Sequence, residues 1–120
     1  MEDGTTDVMR VRFPAATDYL RIGRVAIAGL ALRLDIDVQR VERLRLAVDA
    51  AVEALIGIGE IEVRARWEPG RLAIEIENDA AELPPDKGVE LSELLSGLVD
   101  QVKVDGDSIE LLLSSAPADS

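Results

Sequence analysis

The chain has 120 residues, 48% of them apolar but only 2% aromatic, so it can pack one core built from Leu, Val, Ile and Ala. A formal net charge of −11 and a pI near 4.3 set it against nucleic-acid phosphates and anionic lipid; they suit a basic protein partner, or simple solubility. The absence of cysteine and histidine excludes disulfides, thiol nucleophiles, thiolate metal sites, an imidazole base, a Ser-His-Asp triad and an ordinary zinc site.

Met1 to Asp7 is acidic and polar, which reads as a flexible tail and not as a signal peptide. Val8 to Phe13 partly alternates and predicts a short strand closed by Pro14. Thr17 or Asp18 can cap a first helix, in which Tyr19, Ile22, Val25, Ala26, Gly29 and Leu30 form an apolar or small stripe ending at Arg33. Asp35-Ile36-Asp37 interrupts the pattern, and Asp37 can cap a second helix running to about Ile56. Its predicted core face is Val41, Leu44, Val48, Val52 and Leu55. Gly57 and Gly59 end that helix.

Ile61 to Trp67 and Leu72 to Glu77 both alternate, and Glu68-Pro69-Gly70-Arg71 between them is a turn, so the pair predicts a hairpin. Asn78 to Gly88 reads as a polar loop with two prolines. Leu91, Leu94, Leu95, Leu98 and Val99 then mark a short amphipathic helix, followed by strands over Gln101–Val104 and Ser108–Leu113 around the Asp105-Gly106-Asp107 turn. Residues 115–120 read as a second flexible tail, leaving one domain over 8–114. Val25 to Leu32 is too short and too interrupted to span a membrane, so a soluble cytoplasmic protein is expected. The predicted fold class is α+β: a two-layer sandwich whose mixed, mostly antiparallel sheet of about five strands is covered on one face by three helices.

This order of elements resembles the GHKL-type ATPase domain, and within that group the bacterial anti-sigma factor serine kinases. Val41 to Asp49 looks like the start of the family's nucleotide-binding helix. Ile74 to Asp79 looks like the strand that delivers an adenine-binding aspartate. Gly88 to Val102 is similar to the end of the glycine-rich lid and the helix after it. The resemblance implies a Bergerat-like fold with a truncated lid.

It also implies a site in which a helical Glu acts as general base or orients water, and an Asn four residues later holds Mg²⁺. Ala50 and Ala54 stand at those positions, and a methyl group does neither. Asp49 and Glu53 keep the spacing of four but lie one residue, about 100°, around the helix. In the family's Asp-x-Gly-x-Gly motif, Asp79 would be retained, while Ala81 replaces the first glycine and Leu83 the second. Gly88 would be a retained lid glycine, with Glu90 standing where a second should admit phosphate.

The expectation is therefore a regulatory, anti-sigma-factor-like protein-binding module without kinase or ATPase activity. No catalytic residue, metal site or cofactor is expected; ATP and Mg²⁺ would bind only if the site were retained. By resemblance the partners are a sigma factor or a STAS-type antagonist, with homodimerisation possible, and the contact surface is sought around Arg10, Arg12, Arg21, Arg24 and Arg33. Direct contact with nucleic acid or membrane is not expected. The alternatives are a residual serine kinase acting on such an antagonist, which would recruit Asp49 or Glu53 for Mg²⁺, and an orphan dimerisation module.

Overall fold

The computed structural model describes residues 7–33, 37–68 and 71–114, with side-chain placement from residue 9 and not at 31–36. Both expected tails, apart from Asp7, and the expected breaks at Asp35-Ile36 and Pro69-Gly70 lie outside the described residues. The described chain forms β1 (Asp7–Pro14), a 3₁₀ turn (Thr17–Tyr19), α1 (Leu20–Arg33), α2 (Val38–Ala54), β2 (Glu60–Glu68), β3 (Arg71–Glu77), α3 (Pro85–Ser96), β4 (Gln101–Asp105) and β5 (Ser108–Ser114).

The strands form one sheet in the order β1-β2-β3-β5-β4, and all four adjacent pairs are antiparallel. The expected α+β architecture is present, with a sheet more regular than the mixed one expected. The connections explain this. Helices α1 and α2 carry the chain out and back, so it enters β2 at the end where it left β1, and Pro14 pairs with Glu60. The single helix α3 carries it to the far end instead, so β4 runs in the same direction as β3. Strand β5 then fills the gap between those two, leaving no parallel neighbours.

Alternation decides what the sheet buries. Ile61, Val63 and Ala65 of β2, Leu72, Ile74 and Ile76 of β3, and Ile109, Leu111 and Leu113 of β5 point into one core beneath the helices. Helix α2 presents Leu44, Ala47, Val48, Ala51 and Val52 to that core. Val41, expected there, is only half-buried. Asp37 caps α2 as expected, its side chain accepting from Arg40 N–H at 2.9 Å.

Helix α1 corrects the sequence expectation. Its buried residues are Gly23, Ile27 and Leu30, whereas Tyr19 (42%), Ile22 and Val25 (65%) are exposed. At Gly23 an added Cβ would lie 3.5 Å from the Phe13 ring and 3.9 Å from Val52, ordinary van der Waals distances, so this face of α1 packs on β1 and α2. Periodicity could not choose the face, because Ile22, Val25, Ala26, Ile27, Ala28 and Leu30 put apolar groups nearly all round the helix. The expected caps at Thr17 or Asp18 are replaced by the 3₁₀ turn, which follows Ala16 without a side-chain cap.

Candidate functional site

In the resembled family the nucleotide would lie where α2, the end of β3 and the segment after it meet. Helix α2 brings Ala50 and Ala54 to this region, both half-buried, with Ala50 packed on the core. Neither carries a polar atom beyond its backbone. Asp49, half-buried, is engaged elsewhere: Arg24 Nε of α1 lies 3.1 Å from one carboxylate oxygen and Arg45 lies 3.6 Å from the other. Arg45 also holds Glu42 at 2.9 Å, a hydrogen bond that raises the guanidinium pKa further. Glu53 is exposed. Asp49 is thus part of an α1–α2 clamp.

The end of β3 differs from the sequence expectation by one residue. Ile74 and Ile76 point inward, so alternation makes residue 78, not Asp79, the next inward group. Asn78 is 1% exposed and is the buried polar residue among those described. Its Nδ2 donates to the carbonyls of Leu55 (2.9 Å) and Ile58 (3.0 Å), and its Oδ1 accepts from Ala80 N–H (3.0 Å). Its backbone N–H donates to Asp107 O and its carbonyl accepts from Ala81 N–H, both at 3.0 Å. This one side chain ties the end of β3 to the end of α2. The partner set demands an amide: a carboxylate would face two carbonyl oxygens.

Gly59 completes the junction. Its φ is +83°, and a Cβ there would lie 2.8 Å from Ala80 Cβ and 2.9 Å from Asn78 Oδ1. The only asparagine in the chain therefore takes the inward position that continues the alternation of Ile74 and Ile76, and Asp79 faces out. Strand alternation carries the signal for this inward position, which residue type at position 79 does not.

Asp79 is exposed, in the turn after β3, and lines a hollow of about 260 Å³ with Arg12, Glu60, Glu62 and Glu77. The hollow opens at the edge of the outer sheet face and also reaches Gly59, Asn78 and Ala80. Carboxylate oxygens of Glu77, Asp79 and Asp107 lie within 4.8 Å of one another. Partial burial pushes the Glu77 carboxyl above its ordinary range, Arg64 opposes this, and Asp79, Glu75 and Asp107 reinforce it. Three carboxylates at that spacing have the reach of an oxygen-donor cation site, but Arg64 already bonds Glu77 at 3.3 Å.

The expected lid positions fall inside a helix. Pro85 begins α3, in the first-turn position that tolerates a missing N–H, so Gly88 and Glu90 both belong to it. Gly88 N–H donates to Pro84 O at 2.9 Å, and a Cβ there would meet Val104 at 3.5 Å. Glu90 is exposed. Ala81 and Leu83 are half-buried against the core, in the short segment before the helix. Leu83, Pro84, Gly88 and Val104 line an open hollow of about 330 Å³ between α3 and the β4–β5 turn. Asn78 thus joins the end of β3 to Leu55, the residue after Ala54, while Asp79 lies in the turn after β3 and Gly88 and Glu90 lie within α3.

The five arginines do not form one surface. Arg10 and Arg12 project from the outer face of the sheet and both approach Glu62, at 2.8 and 3.9 Å. Arg21 and Arg24 lie on α1 in the opposite layer. Arg33 ends α1, and its side chain lies outside the described residues.

No protein-family model and no curated protein matches the sequence. A solved structure does match the fold. The crystal structure of the RsbU and RsbW domains of Rv1364c from Mycobacterium tuberculosis superposes with a TM-score of 0.73 over 93% of this chain, at 16% identity. This chain spans 34% of that one's length. The likeness shows a shared fold: the five-stranded antiparallel sheet with three helices described above. No helix among the described residues is long and apolar enough to cross a membrane.

Proposed function

We propose that this protein is an anti-sigma-factor-like regulatory module that acts in the cytoplasm by binding another protein and transfers no phosphoryl group. The observation that carries the reading is Asn78. At the inward position where a nucleotide-binding relative needs an aspartate open to adenine, this chain has an amide whose donors and acceptor are taken by its own backbone. Ala50 and Ala54 support the same reading, since neither can hold Mg²⁺ or move a proton. So does the direct passage from Pro84 into α3, which leaves no glycine-rich loop for phosphate. The likeness to a structure containing an RsbW domain supports the regulatory class.

The partner is a sigma factor or a STAS-type antagonist. The contact surface that fits is the outer face of α1, where Tyr19, Ile22 and Val25 are exposed beside Arg21. Apolar groups rimmed by charge are the usual anatomy of a protein interface. Two titrations test the proposal. Calorimetry with millimolar Mg-ATP is expected to show no saturable heat, and clear binding would return the protein to the kinase reading. Titration with purified sigma factors and STAS proteins of its host is expected to give one complex that Val25→Asp weakens by about tenfold or more while leaving the fold intact. Binding to neither class would favour an orphan module.

A further inference from the structure

Strand β4 forms one edge of the sheet, beside α3. The carbonyl of Leu112 accepts from Asp100 N–H at 3.0 Å, so that carbonyl points toward the β4 side of β5. Antiparallel alternation then gives Gln101, Lys103 and Asp105, the register partners of Leu112, Glu110 and Ser108, to the ladder with β5. Val102 and Val104 turn their N–H and C=O groups the other way, to the open edge. Among the described residues no backbone hydrogen bond outside that ladder involves 101–105. Such an edge is a template for a further strand.

Helix α3 walls this edge. It turns Leu91 and Leu95 to the core, and the helical turn angle puts Val89, Ser92 and Glu93 on another flank. Together with Gly88 and Val104 they line the open hollow of about 330 Å³. Gly88 lets the helix approach β4 closely, since even an added Cβ would stand 3.5 Å from Val104. Val102 and Val104 point inward with no strand beyond them, so both stay half-buried. Val89 lines the hollow while 59% exposed. An open strand edge beside a helix, with an apolar hollow between them, suits an extended peptide. Backbone bonds supply affinity there, and the hollow selects a side chain.

Charge decides the kind of peptide. From Asp79 to Asp107 the chain carries eight carboxylates and two lysines. Glu93 lines the hollow itself, and Asp105 ends β4. One of the two lysines, Lys103, faces Glu110 across the ladder.

We propose that the β4 edge binds an extended basic segment of another protein as an added strand. Its backbone bonds the open groups of Val102 and Val104. An apolar side chain on its inward face fills the hollow between Val89 and Val104. The long Arg or Lys side chains on either side of it reach the carboxylates around the hollow. The site lies across the sheet from β1, on which α1 packs, so it leaves the exposed face of α1 free. It does not depend on the regulatory reading above.

The probe is the peptide Lys-Val-Arg-Leu-Arg-Val-Lys, blocked at both ends and titrated into the isotope-labelled full chain at about 0.05 M salt. Saturable amide shifts centred on Val102 and Val104 are expected in the NMR spectrum. Hydrogen exchange at those two amides should slow about tenfold or more. The same peptide N-methylated at its central leucine keeps its charge but loses a donor to the edge, and should bind about tenfold more weakly. Replacing its basic residues by Glu should abolish binding. Val89→Arg should weaken it about tenfold or more, and Glu93→Lys about threefold. Both positions are exposed, and thermal melts confirm that the variants fold. Absence of saturable shifts overturns the proposal. So do shifts centred on β1, equal binding of the N-methylated or acidic peptide, or binding indifferent to both variants. Val25→Asp should leave peptide binding unchanged. The sigma-factor and STAS titrations are read separately, so failure here leaves the proposed function standing.

Discussion

The α2–β3 junction and the outer face of the sheet treat their polar groups in opposite ways. At the junction, Asn78 is buried and fully bonded, Gly59 takes the φ that lets the chain close over it, and Ala50 and Ala54 add no polar side chain. On the outer face, a few residues away, Arg10 faces Arg64 and Glu75 faces Glu110. In a related nucleotide-binding fold the frustration would be expected at the junction, where unpaired groups wait for ligand. Here the junction is settled, and the conflict has moved to a surface that another protein can reach. Polar groups satisfied internally act on stability, whereas unsatisfied surface charges are open to recognition.

The largest effect should come from breaking the junction. Asn78→Asp would place a carboxylate against the carbonyls of Leu55 and Ile58, with only Ala80 N–H to favour it. A loss of about 3–4 kcal/mol is expected at neutral pH, measured by urea unfolding. Part of it should return in acid, where the carboxyl is neutral. The same variant restores the family's residue type yet should bind no Mg-ATP. Adding Ala50→Glu and Ala54→Asn should not change that, because α3 still occupies the lid positions. Saturable binding by that triple variant would show that the junction had been only the missing side chains of a nucleotide site.

Gly59→Ala should cost less, about 2 kcal/mol. The new Cβ must find room 2.8 Å from Ala80 Cβ while the backbone holds φ near +83°. The side chain of Asn78 is close enough to give way, so the melt should lose cooperativity at the α2–β3 junction before the rest of the sheet. Hydrogen exchange at Ala80 and Ala81 is the sensitive readout. Unchanged protection there would separate Gly59 from the Asn78 lock.

The same contrast explains what the sequence revealed. The hairpins, the Asp37 cap and the inward residues of β2, β3 and β5 were legible because period-two alternation has one solution when one face is buried. The face of α1 is not, since apolar residues surround it and its rotation is settled by packing on α2 and β1. The start of α3 reads as loop in the sequence because Pro84-Pro85 punctuates loops as readily as it opens a helix. Asp79 fits the motif by residue type and masks Asn78 beside it, whereas the side that a strand residue faces is set by its neighbours. The like-charged pairs of the outer face are invisible in the sequence because they depend on register between strands far apart in the chain.

The smallest effect is on the outer face, at Glu77. Its carboxyl is raised mainly by partial burial and further by Asp79, Glu75 and Asp107, against the pull of Arg64. A carboxyl raised in the folded state holds its proton longer than it does unfolded. Through the interval from the ordinary value of 4.5 up to the raised one, the folded protein binds more protons, and stability from this group falls as pH rises. Glu77→Gln removes that slope. The variant should match wild type below the ordinary carboxylate range and be slightly the more stable at neutral pH, since its amide oxygen can still accept from Arg64. Paired urea curves from acid to neutral pH would show the difference opening as pH rises. A difference that closes instead would mean that the Arg64 contact outweighs burial at this position, and that the acidic end of the outer face is as well satisfied as the junction behind it.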